Sequence, residues 1–475
     1  MIKVTNNPSP SLSDLYVLIP GITGSVLEKQ GQELWAPSLG VLTRTALGGK
    51  NLQSLVLPAV DDPTLDDLDG VVPTRIIDGV TLIPGLHAFD GFARLRRQIS
   101  APEGLAAPSS VIDFPYDWRR DNRVAAHRLK KMIEDRLFKI RRSGSPTARA
   151  VLLAHSMGGL VARYYLEVLG GWQDCRALVT FGTPHYGSVK VLDYLENGAK
   201  FLWIDATELT RSLTSAYQLL PTYPMIASGD TWQSVVDLPS LGHLDHERAV
   251  AGRAFHKDIQ VAQETNLNDS SYRTEGYLAI SVSGTGQPTL QSARLVEGRI
   301  EASRLLPPQF SAVLGDGDGT VPRISSSPQD APGQRVFGSE RHSSLQGQAD
   351  VLFQVENQIR TAGTKVPKIL AAPSGAAASG LSLDLEDVYA AGSSAEISVR
   401  PLGITDVQEI SGELEPLAKD GAAQLLSLEA TDEGWKARLS GLHPGSYRLS
   451  IQARSGPVQA TVQDLFEVVQ IGATA

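Results

Sequence analysis

Apolar residues in the first three quarters of the chain form two alternating patterns, short continuous runs and longer stripes at helical spacing. Continuous apolar runs bounded by turn residues are typical of strands buried on both faces of a parallel sheet. Such runs lie at residues 15–20, 111–114, 151–153, 177–181 and 277–283, with a shorter one at 335–337. Stripes at helical spacing predict helices at 91–99, 122–140 and 349–359. Strands that alternate with helices predict an α/β fold built on a parallel sheet with right-handed crossovers.

Two stretches interrupt this alternation, and we predict that they form insertions. Residues 28–91 are rich in loop signals, and irregular chain of this length in a compact domain usually forms a lid or a pocket wall. Residues 189–263 are helical and irregular in pattern, with an apolar segment at about 192–220. We interpret most of that segment as core. The alternative interpretation is a cap whose apolar face touches acyl chains. The first predicted domain, residues 1–363, therefore carries helical cap or lid insertions.

The last quarter of the chain has a different pattern. Residues 364–380 are rich in Ala, Ser, Gly and Pro, which is typical of a linker. Beyond them, runs such as 395–400 and 447–453 alternate apolar with polar residues, and turn signals such as His443-Pro-Gly445 separate them. This spacing predicts a small all-β sandwich domain of the immunoglobulin-like kind over residues 381–475. A chain of 475 residues fits two domains.

The strand at 151–153 runs into the most informative segment of the chain, Ala154-His-Ser-Met-Gly158. A helical pattern follows directly, so the segment has the strand–turn–helix layout of a nucleophile elbow, in which Ser156 is exposed on a strained turn. A turn this tight brings residues 154 and 158 together, so both must be small. Ala154 stands where Gly is commoner. The alternative is an ordinary strand-to-helix loop, and the choice depends on whether the chain also supplies a base, an acid and an oxyanion hole.

Two loops provide candidates for the oxyanion hole. In hydrolases with an elbow, one amide comes from the residue after the nucleophile and the other from an early loop. Met157 supplies the first by its position, and Thr23 or Ile22, in the small-residue loop after the first strand, supplies the second. An ordinary glycine turn is the alternative for that early loop taken alone.

A serine hydroxyl becomes an effective nucleophile only when a histidine accepts its proton and an acid orients that histidine. In elbow hydrolases the chain order is Ser, acid, His. The histidines of the first domain that lie far enough beyond the elbow are His243, His246, His256 and His342. His342 is best placed, on a loop between the last short strand and the closing helix. His155 and His185 precede the acid, so we expect them to line the substrate pocket.

Two aspartates on a glycine-rich loop are candidates for the acid. We choose Asp318, in Gly317-Asp-Gly-Thr-Val-Pro322, and place Asp316 second. The rival interpretation is a calcium loop, because Asp-x-Asp-Gly occurs in such loops. A calcium loop would need a third oxygen ligand and a closing Glu, yet Thr320-Val-Pro-Arg323 follows. We therefore predict no metal, and we predict no cofactor because a triad needs none.

Composition and charge limit the partners. The hydrophobic content of 42% and the charged content of 20% are those of an ordinary globular protein. A net charge of -9, without a basic run, argues against nucleic acid and against permanent electrostatic attachment to anionic membranes, although transient membrane contact stays open. The single cysteine, Cys175, excludes an intrachain disulfide. Because residues 1–14 are polar and no apolar run is long enough to span a membrane, we expect a cytoplasmic protein.

Seven segments within residues 15–360 occur in a characteristic order. They are Leu18-Ile-Pro-Gly-Ile-Thr-Gly-Ser25, Tyr116-Asp-Trp-Arg119, Ala154-His-Ser-Met-Gly158, Gly182-Thr-Pro184, Gly284-Thr-Gly-Gln-Pro-Thr289, Gly317-Asp-Gly-Thr-Val-Pro322 and His342. In this order they resemble the lecithin:cholesterol acyltransferase family. The resemblance implies an α/β-hydrolase core with a cap, and acyl esters, typically phospholipids, as substrates.

The resemblance also implies roles for particular residues. It carries a triad onto Ser156, Asp318 and His342, and an oxyanion hole onto the amides of Thr23 and Met157. The loop with Trp35 resembles the family's lid region, and we expect Ile22 and Trp35 to line the substrate pocket. The C-terminal sandwich lies outside the family's pattern.

We therefore predict a serine esterase or lipase of the phospholipase A type, which cleaves lipid or phospholipid esters through an acyl-enzyme. The alternative enzyme is an O-acyltransferase that moves the acyl group from a phospholipid to an alcohol, because the sequence does not reveal how well water is excluded. The alternative from another class is a binding or scaffold protein with an inactive core. We expect any contact with a protein partner to use the C-terminal domain.

Overall fold

A computed structural model gives the fold, and it describes residues 14–36, 50–58, 61–64, 67–77, 81–83, 87–89, 92–101, 104–201, 204–238, 241–328, 333–361, 380–417, 421–456 and 458–470. Several parts of the predicted insertion at 28–91 lie outside these residues. The predicted linker at 364–380 does so as well, except for its last residue.

The described residues form the following strands and helices. Strands β1 to β6 are Leu15–Ile19, Ser25–Lys29, Gln32–Trp35, Val71–Ile76, Thr81–Ile83 and His87–Phe89. Strands β7 to β17 are Val111–Asp113, Ala150–His155, Cys175–Phe181, Lys200–Phe201, Ile204–Asp205, Ile226–Ser228, Thr231–Gln233, Leu278–Gly284, Ser292–Val296, Arg299–Ser303 and Gln334–Gly338. Strands β18 to β26 are Gly380–Asp384, Val388–Ala390, Ala395–Leu402, Glu409–Pro416, Gln424–Leu426, Glu429–Thr431, Gly434–Leu439, Gly445–Ser455 and Val458–Val469. Helices α1 to α11 are Lys50–Gln53, Ala93–Ile99, Asn122–Arg142, Gly158–Arg163, Val189–Asn197, Thr207–Ser212, Thr214–Tyr217, His246–Asn268, Ser270–Glu275, Arg323–Ser326 and Ala349–Thr361.

The central element is a six-stranded sheet in the order β17-β14-β9-β8-β1-β7. Each neighbouring pair in it is parallel. Along β1, odd-numbered residues belong to one buried apolar cluster and even-numbered residues to a second, so the sheet is covered on both faces. Burial on both faces is why the strands appear in the sequence as continuous apolar runs. The predicted α/β-hydrolase core is confirmed.

The long helix α3 shows how the sequence covers one face of the sheet. Its first turn is capped by the side chain of Asp121, which accepts a hydrogen bond from the amide of Arg123. Leu129, Ile133 and Leu137 recur every fourth residue and are fully buried in the larger cluster. The predicted helix at 122–140 is therefore present, and it extends to Arg142.

The insertions contain more regular structure than the sequence suggested. Strands β2, β3 and β4 form a three-stranded antiparallel sheet within a stretch that was predicted to be loop-rich. In the second insertion, β12 and β13 join the hairpin β15-β16 in a four-stranded sheet. The sequence did not predict β12 and β13, because three residues offer too few positions to reveal an alternation of apolar and polar side chains.

The C-terminal part is a β-sandwich, as predicted. One sheet has the order β18-β20-β24-β23 and the other β19-β26-β25-β21-β22, and their buried side chains share one apolar cluster. The pair β19-β26 is parallel, whereas the other pairs in these two sheets are antiparallel. The placement of the domain boundaries remains a prediction.

Two further findings bear on the chain as a whole. Cys175 is the first residue of β9 and is fully buried, and burial raises the pKa of its thiol to about 12. Within the described ranges, none of the helices is both long and apolar enough to cross a lipid bilayer.

Candidate active site

Ser156 lies on a sharp turn between β8 and α4. Its backbone has φ 52°, a left-handed conformation that is strained for a residue with a side chain. Two hydrogen bonds hold the turn: the Ser156 amide donates to the Phe181 carbonyl (2.8 Å), and Thr183 Oγ1 donates to the Ser156 carbonyl (2.8 Å). The strand, turn and helix thus have the layout of a nucleophile elbow.

Gly158 lets this turn lie against the end of β1. A Cβ atom at this position would be 2.4 Å from the Pro20 carbonyl oxygen and 2.7 Å from that of Ile19, so no larger residue fits without moving backbone. Close packing here brings the loop after β1, which contains Thr23, next to the serine. The sequence argument expected a small residue here because residue 154 would lie against it, whereas the nearest atoms in the structure belong to Pro20 and Ile19.

His342 lies on the loop after β17 and meets Ser156 and Asp318 at the carboxyl edge of the sheet. Its Nδ1 is 2.7 Å from Asp318 Oδ2, and its Nε2 is 3.0 Å from Ser156 Oγ. A carboxylate can only accept, so Nδ1–H donates to Asp318 and the unprotonated Nε2 accepts from the serine hydroxyl. The structure therefore joins the three residues chosen from the sequence in one chain of hydrogen bonds.

The second oxygen of Asp318 is fixed by the backbone. Asp318 Oδ1 accepts from the amides of Thr320 (2.9 Å) and Val321 (2.6 Å). Asp316, the second choice for the acid, is exposed and is not part of this chain of hydrogen bonds. Both oxygens of Asp318 serve protein donors, which disfavours the calcium-loop interpretation. Among the described residues, no group of three or more His, Cys, Asp or Glu side chains could hold a metal ion.

His155 is hydrogen-bonded to the loop that carries His342. Its Nε2–H donates to the His342 carbonyl oxygen (2.9 Å), and the two imidazole rings lie 4.8 Å apart. Burial and the neighbouring His342 hold the pKa of His155 well below its usual range, so the ring stays neutral. It is fully buried.

His185 lies away from this chain of hydrogen bonds. Its ring nitrogens are 3.4 Å from Arg163 Nη1 and 3.4 Å from Thr180 Oγ1. Burial, and then the Arg163 charge, hold the pKa of His185 well below its usual range. It lines a small cavity together with Arg163, Gln263 and Tyr277. The expected role of His155 and His185 in the substrate pocket remains a prediction.

Of the two oxyanion-hole candidates, Thr23 lies on strained backbone and Met157 on ordinary helical backbone directly before α4. Thr23 has φ 64°, and its carbonyl accepts a 2.9 Å hydrogen bond from Trp35 Nε1–H. Trp35 in turn packs edge-on against Trp118, with ring centroids 5.8 Å apart. In the part of the chain that the structure describes, the amides of Thr23 and Met157 donate to no protein acceptor. Both amides are therefore free to bind a substrate oxygen. Ile22 and Trp35 are themselves largely buried.

The three hydrogen-bonded residues are almost closed off from solvent. Ser156 is 6% exposed, His342 4% and Asp318 0%. Little of the serine side chain is therefore accessible to solvent in this structure.

Some supporting residues were not assigned roles from the sequence. Thr183, which holds the Ser156 turn, belongs to the quoted Gly182-Thr-Pro184 segment, so its motif was visible while its role was not. Arg119 is buried and makes ion pairs with Asp117 (2.7 Å) and Asp69 (3.0 Å). The pair with Asp69 links the insertion to the loop after β7. The motif Tyr116-Asp-Trp-Arg119 drew attention to Arg119 in the sequence. Its partner Asp69 lies fifty residues earlier, so the sequence did not predict the ion pair.

Part of the chain is similar to a known protein family. The family model of lecithin:cholesterol acyltransferase matches residues 99–292, a range that includes Ser156 and Met157 but ends before Asp318 and His342. None of the curated proteins matches the chain.

Several solved structures are similar at low identity. The Bacillus licheniformis lipase BlEst2 in its mature form is 12% identical, with 76% of this chain and 95% of that chain covered and a TM-score of 0.34. Its propeptide form is 11% identical, with 97% and 94% covered and a TM-score of 0.37. The phospholipase PlaB from Legionella pneumophila, in complex with thio-NAD, is 8% identical, with 96% and 92% covered and a TM-score of 0.29. Similarity at this level carries no argument about activity.

Proposed function

Residues 99–292 belong to the lecithin:cholesterol acyltransferase family, and from this premise we propose that the protein is a serine hydrolase that cleaves acyl esters of lipids, such as phospholipids. The proposal assigns Ser156 as the nucleophile, His342 as the general base and Asp318 as the acid that orients it. It also assigns residues 1–363 as the catalytic domain, with 364–380 as a linker and 381–475 as a second domain.

The proposed reaction has two steps. Ser156 Oγ attacks the ester carbonyl while His342 Nε2 takes its proton, and the amides of Thr23 and Met157 stabilise the oxyanion. His342 then gives the proton to the leaving alcohol, which leaves an acyl-enzyme. A water molecule, deprotonated by the same histidine, releases the acid and restores the serine. Asp318 stabilises the imidazolium in both steps.

One observation carries this proposal: the unbroken chain of hydrogen bonds from Asp318 through His342 to Ser156, with distances of 2.7 Å and 3.0 Å. The strained turn at Ser156 and the two free amides support the same chemistry. A structural role alone does not account for a buried serine hydroxyl that points at an acid-oriented imidazole. Residues in such a unit act together, so losing the nucleophile removes most of the catalysis.

The burial of the site favours a second candidate, an O-acyltransferase. Ser156 is 6% exposed and His342 4% exposed, and a site that excludes water from the acyl-enzyme favours transfer to an alcohol over hydrolysis. A product assay with a phospholipid and an added long-chain alcohol separates the two reactions. Accumulation of the alkyl ester supports the transferase, and release of free fatty acid alone supports the hydrolase.

The test of the nucleophile is mass spectrometry after treatment with a fluorophosphonate. We expect a single adduct on Ser156 in the wild-type protein, none in Ser156→Ala, and an unchanged adduct in Ser283→Ala. Ser283 is a matched control because it is a fully buried serine on β14, outside the chain of hydrogen bonds. The reaction is run with and without phospholipid vesicles, because little of the Ser156 side chain is exposed in this structure. Lack of an adduct on Ser156 under both conditions, or ester hydrolysis unchanged in Ser156→Ala, contradicts the proposal.

A further inference from the structure

The loop that carries His342 is bonded to the C-terminal β-sandwich on both sides of the histidine. This loop, residues 339–344, follows β17, which lies at one end of the central sheet and so has a neighbouring strand on one side only. A loop after an edge strand has less support from the sheet than a loop after a central strand. The contacts that hold it come from the sandwich.

Arg341, the residue before His342, points into the sandwich. Its Nη1–H donates to the Leu383 carbonyl at 2.8 Å, and its Nη2–H donates to the Leu385 carbonyl at 3.4 Å. Its Nε also pairs with the carboxylate of Asp464 on β26. The whole guanidinium is therefore used to attach the chain beside the histidine to two segments of the sandwich.

The residues after His342 repeat this attachment. Ser343 Oγ donates to Asp464 Oδ1 at 2.9 Å, and Ser344 Oγ donates to the Gln463 carbonyl at 3.3 Å. On the other side, Glu340 Oε2 accepts from the Gln463 amide at 3.0 Å. Asp464 thus binds both neighbours of His342 at once, Arg341 through one oxygen and Ser343 through the other.

Gln287 extends the same contact to the loop that carries Asp318. Its side-chain amide donates to the carbonyls of Ser339 (2.5 Å) and Leu381 (2.8 Å), and its side-chain oxygen accepts from the Leu383 amide (2.9 Å). Its own backbone amide donates to the Gly317 carbonyl, next to Asp318 (3.1 Å). The fully buried Gln287 therefore connects the loop of His342 to β18 through its side chain, and it contacts the loop of Asp318 through its backbone amide.

We propose that the C-terminal sandwich positions His342 for catalysis, and that Asp464 is the positioning residue that acts through Arg341 and Ser343. This inference rests on the proposed function, because it takes His342 to be the general base. Near-attack geometry is demanding, and a misplacement of about 1 Å can cost about 100-fold in rate. A domain expected from the sequence to serve partner binding then forms part of the catalytic machinery.

The competing explanation is that these contacts only attach the sandwich to the rest of the protein. The chain offers a matched control for that explanation. Lys190 on α5 pairs with Asp387 of the sandwich at 3.0 Å, and both side chains are 18% exposed. This ion pair joins the same two parts of the protein but lies outside the histidine loop. Losing it should weaken docking without displacing His342.

The experiment compares Asp464→Asn and Ser343→Ala with Lys190→Met in the full-length protein. We measure kcat and KM on a soluble short-chain ester, the rate of fluorophosphonate labelling of Ser156, and the thermal midpoint. Asp464→Asn is expected to lower kcat by about 10- to 100-fold and to slow labelling by a similar factor, with KM within about twofold. Ser343→Ala removes the hydrogen bond to Asp464 and the one shared with Ser344 Oγ but keeps the Arg341–Asp464 pair, so we expect it to lower kcat less. Lys190→Met is expected to lower the thermal midpoint while kcat and the labelling rate stay near wild type.

The outcomes separate this inference from the proposed function. Wild-type kcat and labelling rates in Asp464→Asn or Ser343→Ala overturn the inference, as does an equal loss of kcat in Lys190→Met. In either case labelling of wild-type Ser156 leaves the proposed function standing. If wild-type Ser156 is not labelled at all, the proposed function fails and the inference falls with it. Ser343→Ala keeps the test decisive if Asp464→Asn does not fold.

Discussion

Replacing Asp318 by Asn tests the proposed triad at its most constrained point. Asp318 Oδ1 accepts two backbone amides, from Thr320 and Val321, so the carbonyl oxygen of an asparagine must stay there. The amide nitrogen then faces His342 Nδ1 in place of Oδ2. Because that nitrogen is a donor, Nδ1 has to accept, and the imidazole proton moves to Nε2. A protonated Nε2 cannot take the proton from Ser156.

The size of the effect follows from this tautomer change. Trapping the base of a serine triad in the wrong tautomer, with its geometry intact, costs about 10⁴-fold in kcat. At about 1.36 kcal/mol per tenfold change in rate, this is about 5.4 kcal/mol of transition-state stabilisation. KM should change little, because Asp318 is fully buried behind His342 and does not face the substrate.

The assay measures kcat and KM on a soluble ester for Asp318→Asn and for Asp316→Asn as the matched control. Asp316 lies on the same loop, has φ 61° and is exposed, and asparagine tolerates that backbone conformation. We expect near wild-type kcat for Asp316→Asn, and thermal unfolding must show that both variants are folded. A kcat for Asp318→Asn within about tenfold of wild type, or an equal loss in Asp316→Asn, would refute the tautomer argument.

Two further predictions test the elbow and a buried carboxyl. Gly158→Val should destabilise the protein by about 1–3 kcal/mol and abolish Ser156 labelling, because its Cβ would be 2.4 Å from the Pro20 carbonyl oxygen. Urea unfolding measures the stability, and fluorophosphonate labelling measures the reactivity of Ser156. Retention of labelling contradicts the packing argument. Burial raises the pKa of Glu467 from an ordinary value of 4.5 to about 8. Between these two pH values the folded protein keeps a proton that the unfolded chain has released. The free energy of unfolding therefore falls as the pH rises from 4.5 to about 8. Glu467→Gln should remove this decline and raise the thermal midpoint at pH 8 relative to wild type but not at pH 4, and parallel pH profiles for the two proteins would count against a neutral Glu467.

The sequence predicted the core and the site where the signal is local. The strand at 151–153 and the elbow around Ser156 lie within a few residues of each other, so one short segment predicts both. Apolar runs predict the strands that are covered on both faces. Asp318 and His342 were found by their order after the elbow, because a loop after a parallel strand reaches the same sheet edge as its neighbours. The structure then brings these distant loops within hydrogen-bonding distance.

What the sequence did not predict depends on long-range contacts between polar residues. Arg341 and Asp464 are over a hundred residues apart, and no pattern in the sequence around either residue predicts that they form an ion pair. The support of His342 by His155 was missed for a similar reason, since a buried histidine next to an elbow predicts a pocket residue as readily as a hydrogen-bond donor. Strands of two or three residues in the insertions were missed because they bury too few side chains to leave a pattern.

The buried thiol of Cys175 has a practical consequence for attaching a probe to the protein at one chosen position. It is the only cysteine of the chain, it is fully buried, and its pKa of about 12 keeps it protonated and unreactive near neutral pH. A cysteine introduced at an exposed position therefore becomes the single point of attachment for a fluorophore or a spin label, without removal of the native residue. Val72 on β4 is 47% exposed and offers such a position within the first insertion. A probe there would show whether the surroundings of β4 change when phospholipid vesicles are added.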